Sequence, residues 1–176
     1  MDMPAQDLIF GTAWHFGREH QLLFGYEDYL GAYSAFETSY REHLHQSTDN
    51  IYTPKDPTGA MAGYMTFARE YPNDLRDNEV VELDGVKMTE ISAKVPIDDN
   101  RFLYYRIDSI MRRKEDDKIF SWDHKSTSGK WINNRIWSDG FYLGIQNGTY
   151  THCLYCMFPM EQVLGIEFCG CGFVYL

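Results

Sequence analysis

Two strand-like runs, residues 102–112 and 118–127, are parted by little more than Glu115-Asp116-Asp117, and so short a polar interval allows only a hairpin. The chain must therefore build a sheet. Its second run, Lys118-Ile119-Phe120-Ser121-Trp122-Asp123-His124-Lys125-Ser126-Thr127, carries a carboxylate and an ammonium two positions apart. Strand side chains alternate, so Asp123 and Lys125 leave the same face while His124 points to the other. The first run, Tyr104-Tyr105-Arg106-Ile107-Asp108-Ser109-Ile110, contributes a second acid, Asp108, with Arg106 and Arg112 as its nearest candidate ion-pair partners. Two carboxylates and a lysine converging on one sheet surface are the groups that hold a hard divalent cation and activate a water.

The rest of the composition limits what surrounds that sheet. With 176 residues, 44% hydrophobic and 16% aromatic, the chain is long enough to bury a core and too apolar to stay disordered. A formal net charge of −10 argues against a broad electrostatic footprint for nucleic acid. The basic residues are nevertheless uneven. Arg106, Arg112, Arg113, Lys114, Lys118, Lys125, Lys130 and Arg135 crowd the segment around the two runs, which leaves room for a narrow basic path. No leader-like opening and no apolar run of the ~20 residues needed to span a bilayer is present, so a soluble, cytoplasmic protein with no membrane partner is expected.

Along the chain, the pattern predicts a helix over 7–24 with Asp7 as N-cap, and a second over 29–44 with Leu30, Tyr33, Tyr40 and Leu44 on one side. A loop over 46–59 and a third helix over 60–71, stopped by Pro72, follow. Residues 79–83 and 86–97 flank Asp84-Gly85, a two-residue hairpin turn. After the two strand runs, Ser128-Gly129 opens a loop, 139–158 reads as one helix and 164–175 as a last strand. The fold class is α+β (mixed α/β), a mostly antiparallel meander sheet flanked by helices. The whole of 1–176 is expected as one domain, with N-terminal helices in 7–71 and the sheet in 79–176.

Four separated pieces stand in order: Gly11-Thr12-Ala13-Trp14-His15 with Glu19 one turn later; Glu90 and Asp108; Asp123-x-Lys125; and Gln146-x-x-x-Tyr150, whose ends share a helix face. This order resembles the RecB-like branch of the PD-(D/E)XK nuclease superfamily, which includes many bacteriophage exonuclease-type proteins, over roughly residues 8–170. The resemblance implies a restriction-endonuclease-like core and a metal-dependent nuclease hydrolysing DNA phosphodiester bonds, an exonuclease of recombination or repair acting on linear or single-stranded ends, with recombination proteins as further partners in a bacterial or phage-infected cell. It implies His15, Asp108 and Asp123 as ligands of one or two Mg²⁺ or Mn²⁺ ions, the backbone carbonyl of His124 as a further ligand, and Lys125 as the residue that orients or deprotonates the attacking water. Gln146 and Tyr150 then support the site or touch the nucleic-acid backbone, with Glu90 and Glu19 in supporting positions. The same fold without turnover, a silent nucleic-acid-binding or assembly module, is the alternative.

Four cysteines fall in the last 24 residues, as Cys153-x-x-Cys156 and Cys169-x-Cys171. Helical spacing for the first pair and strand spacing for the second favour buried, reduced thiols over a zinc or iron–sulfur site.

Overall fold

The computed structural model describes residues 6–43, 53–142 and 144–174. In chain order the elements are α1 (Gln6–Phe24), α2 (Tyr29–His43), α3 (Pro57–Glu70), α4 (Asp74–Asp77), β1 (Asn78–Val80), β2 (Glu82–Leu83), β3 (Val86–Lys87), β4 (Thr89–Pro96), β5 (Phe102–Arg113) and β6 (Lys118–Ser128). Then come α5 (Gly129–Ile132), α6 (Arg135–Tyr142), α7 (Ile145–Met157), a 3₁₀ turn (Met160–Gln162) and β7 (Val163–Phe173). The main sheet runs β1-β5-β6-β7 with β4 also on β5, and β2-β3 form a small ribbon. β1, β4 and β6 all pair with β5 in antiparallel fashion. The class is α+β. The chain divides into two compact units, one of residues 1–73, 124–134 and 170–176, the other of 74–123 and 135–169.

In the first unit, aromatic rings set the packing. Phe10 meets Phe36 edge-on at 5.4 Å and Phe173 at 4.9 Å, while Trp14 stacks on Tyr64 at 4.5 Å. Tyr64 lies so close to α1 that its hydroxyl donates to the Trp14 carbonyl at 3.2 Å. Gly17 permits that approach, because a β-carbon there would stand 2.1 Å from the Tyr64 oxygen. Below it Arg18, 1% exposed, donates to Gln21 Oε1 and to the Tyr26 hydroxyl and lays its guanidinium 3.4 Å from the Phe67 ring centre. A desolvated cation over an aromatic face is a strong contact of its type.

The second unit is built on the β4–β5–β6 meander, with Ile107, Ile110, Ile119, Tyr105 and Val95 packed together with Cys153 and Leu154 of α7. Its entry turn is the expected one: Asp84 and Gly85 have φ of 51° and 80°, the left-handed pair that a two-residue hairpin demands.

Several boundaries depart from expectation. Asp7 sits inside the first turn of α1 and lies 3.8 Å from Lys55 Nζ, so it is not the cap. The buried side of α2 is Ala32, Phe36, Ser39 and Tyr40, with Leu30 63% exposed, because the phase is set by rings that reach Phe10. Leu44 lies outside the described residues. The third helix begins at Pro57, since Asp56 caps it by accepting from the Gly59 amide at 2.7 Å. The stretch after Ser128 is helical (α5, then α6), and the predicted helix over 139–158 is two, broken at Gly144, whose extended backbone (φ −74°, ψ 152°) caps α7.

Candidate metal centre

The β4–β5 ladder brings two carboxylates together. Thr89 pairs with Ser109 and Ile91 with Ile107, so Glu90 between them stands opposite Asp108. A carboxylate oxygen of each lies within 4.8 Å of the other. Glu90, the second residue of β4, reaches this position with a left-handed backbone, φ 49°. A side chain bearing a β-carbon adopts that conformation at a cost of about 1–2 kcal/mol, and such outliers cluster at sites where geometry matters more than comfort.

Arg106 fixes the Glu90 carboxylate. Its Nε donates to Glu90 Oε2 at 2.7 Å, and a terminal guanidinium nitrogen reaches the same oxygen. The pair is asymmetric in exposure, 13% for the Glu90 side chain and 55% for Arg106. Arg106 therefore serves Glu90, and Arg112 lies 3.5 Å from Glu79. Oxygens that share one ion at 2.0–2.6 Å stand at most about 5 Å apart, so the two carboxylates fit a common divalent cation.

Next along the sheet, Ser109 pairs with Trp122 and donates its hydroxyl to the Trp122 carbonyl at 3.2 Å. Asp108 and Asp123 flank that pair directly. Asp123 is 1% exposed and His124 2% exposed, while Lys125, two residues after Asp123 on β6, is half-buried. Neighbouring Ser126 gives its carbonyl to Lys55 Nζ at 3.2 Å, a contact no sequence pattern announces.

From α7, Gln146 Nε2 donates to the Tyr150 hydroxyl at 3.0 Å, the one-turn pairing that the spacing predicts. Burial pushes the Tyr150 phenol above its ordinary range; the Gln146 bond pulls it partly back, and the negative charges of Asp123 and then Asp108 push it up again. Tyr150 thus stands in the field of both aspartates as a neutral hydroxyl. Having accepted from Gln146, it keeps its own proton to donate. On α1, His15 and Glu19 lie four residues apart and are both half-buried.

Sequence reasoning gave Glu90 only a supporting place. What it missed was the Arg106 clamp and the left-handed turn of the backbone, and the one available signal was cross-strand register. None of the four cysteines, all among the described residues, is in a disulfide. Cys153 is buried and its thiol is pushed up to about 11, chiefly by burial. Cys156, expected inside, is exposed and lies 3.7 Å from His152 Nε2, because the α7 face that meets the sheet is that of Cys153 and Leu154.

Comparison of the chain with protein-family models, with curated proteins and with solved structures finds no match. Among the described residues no helix is long and apolar enough to cross a membrane.

Proposed function

We propose that the chain is a metal-dependent nuclease that hydrolyses DNA phosphodiester bonds, of the RecB-like PD-(D/E)XK kind, working as an exonuclease in phage or bacterial recombination or repair. One observation carries the reading: Glu90, held in a left-handed backbone and clamped by Arg106, faces Asp108 at a separation that suits a shared cation.

Glu90 and Asp108 would hold one Mg²⁺ or Mn²⁺ ion, with His15 the further ligand that the resemblance implies. Carboxylate oxygens suit either ion, and an imidazole in the set extends tolerance toward Mn²⁺. Asp123 and the backbone carbonyl of His124 are the further ligands that the resemblance implies, for this ion or a second. When bound, the metal supplies Lewis-acid charge at the scissile phosphate and a water of lowered pKa. Lys125 would orient the attacking water and offset the charge that builds on the nonbridging oxygens. Tyr150, steadied by Gln146, offers its O–H to a phosphate oxygen, and Glu19 supports His15 from the next turn of α1.

The test is cleavage of end-labelled linear and of circular DNA with Mg²⁺, Mn²⁺ or EDTA. Cutting that needs the metal, prefers the linear substrate and falls by at least ~100-fold in Lys125→Ala is expected, in line with the loss of one electrostatic catalyst. Metal-dependent cutting unaffected by Lys125→Ala would remove the assignment.

A further inference from the structure

The β4–β5 hairpin carries a feature that the hydrolytic centre does not use. Reading outward from the acidic pair, the ladder sets Ser92 opposite Arg106, Lys94 opposite Tyr104 and Pro96 opposite Phe102. Every one of these six residues is exposed, whereas Val95, Tyr105 and Ile107 turn inward to the core. Tyr104, third residue of the twelve-residue β5, is 79% exposed, and Phe102, its first, 50%. Lys94 holds its ammonium 5.0 Å from the Phe102 ring centre, so a cation already rests against this aromatic surface. Ser92, Lys94, Tyr104 and Arg106 also line one shallow depression in the face.

Exposed aromatics are costly, and two of them on alternate positions of one strand, interleaved with two cations in a chain of net charge −10, are not explained by packing. Residues two apart on a strand repeat at roughly 6.8 Å, a step comparable with that of an extended polynucleotide strand. Rings on which bases stack and cations that follow the backbone are together the ingredients of single-strand binding, because every base offers a π-face and every linkage a negative charge. A duplex, with its bases already stacked, has nothing to offer the rings.

We infer that the outer face of the β4–β5 hairpin is a track for single-stranded DNA that leads into the acidic pair, with Phe102 and Tyr104 stacking on successive bases and Lys94 and Arg106 following the phosphates. The inference rests on the nuclease reading for its direction of travel. It also deepens that reading, since it selects a single-stranded end as the substrate. Arg106 is the junction: its guanidinium clamps Glu90, and its side chain, 55% exposed, borders the track.

Binding is measured by fluorescence anisotropy with a labelled thymidine oligomer, the same-length RNA and a blunt duplex, all in EDTA so that cleavage plays no part. Single-stranded DNA is expected to bind at least about tenfold tighter than duplex. Tyr104→Ala is expected to weaken it by about five- to a hundred-fold, the span of one lost stacking contact, and Tyr104→Trp to restore it. Lys94→Ala should lower the salt dependence by about one ion-equivalent without changing the preference for single strands. Both side chains are exposed, and an unchanged thermal transition in each variant confirms that the fold is kept. Equal affinity for duplex, or binding indifferent to Tyr104→Ala, overturns the track while leaving metal-dependent cutting untouched. Tighter binding of the RNA would reassign the strand that the track carries. Sedimentation showing a dimer that Tyr104→Ala dissolves would overturn it differently, making the face a contact between two copies. Tyr104-dependent binding without any metal-dependent cutting would keep the track and end the nuclease reading.

Discussion

Glu90 and Asp108 face one another across the β4–β5 ladder with carboxylate oxygens within 4.8 Å, and Glu90 reaches that place only by taking a left-handed backbone, φ 49°. Local propensity opposes this arrangement, since a strand position with an extended neighbour on each side has no need of a positive φ. Glu90→Gly is therefore expected to relieve the backbone while deleting the ligand. The variant should lose the rise in melting temperature that millimolar Mn²⁺ gives the wild type, yet melt no lower than wild type in EDTA; a large loss of stability in EDTA would show that the carboxylate's role is structural.

Buried Tyr64 and half-buried Tyr150 are both phenols raised above the ordinary tyrosine range, Tyr64 by the larger margin and each mainly through burial. In the unfolded chain a tyrosine ionises near pH ~10, whereas in the folded chain these two hold their protons longer. Stability from them is complete below that pH and is lost as pH rises from it through the folded values. Urea midpoints should fall steeply above about pH 10, and Tyr64→Phe should flatten that fall. An unchanged slope in Tyr64→Phe would mean that other groups govern alkaline unfolding.

The two glycines Gly17 and Gly148 should respond to alanine with opposite sign. A β-carbon at Gly17 would collide with Tyr64 at 2.1 Å, so Gly17→Ala is expected to cost about 1–3 kcal/mol. At Gly148, on α7 between Gln146 and Tyr150, nothing lies within 4 Å of the added carbon. Gly148→Ala should therefore stabilise by up to about 1 kcal/mol, the helix-propensity difference. Denaturant titration of both variants reads the contrast directly.

Thiol labelling separates Cys153 from Cys156. The thiolate is the reactive form, and Cys153 is buried with its thiol pushed up to about 11, whereas Cys156 is exposed. Iodoacetamide at pH 8 should modify Cys156 readily and leave Cys153 unmodified until the protein unfolds, as peptide mapping by mass spectrometry would show. Rapid modification of Cys153 in the folded protein would contradict its placement against Ile107 and Leu154.

Much of this architecture is legible in the residues, and the failures have physical causes. The β5–β6 hairpin, the Asp84-Gly85 turn and the Gln146–Tyr150 pair are set by neighbours in sequence, through alternation, turn chemistry and one-turn spacing. The end of the loop before α3 was also encoded locally, by the Asp56 cap and Pro57, which a broader polar pattern concealed. The phase of α2 was not, because the ring cluster about Phe10 outweighs the exposed Leu30. The α6–α7 break at Gly144 was masked by glycines on either side that the helices tolerate. For the proposed site, strand alternation sets Asp123 and Lys125 on one face of β6, and their roles rest on the resemblance. The prominence of Glu90 does not: it depends on a register sixteen and eighteen residues away, with Arg106 and Asp108, and on a backbone angle that no residue type other than glycine advertises.

Titration of Mn²⁺ by calorimetry or by its electron-spin resonance, on wild type, Glu90→Gln and Asp108→Asn, tests the shared-cation claim most directly. Wild-type binding weakened at least ~10-fold in both variants, with the thermal transition in EDTA retained, is the predicted result, in line with the loss of one charged ligand from a hard-ion site. Undiminished Mn²⁺ affinity in the two variants would contradict it.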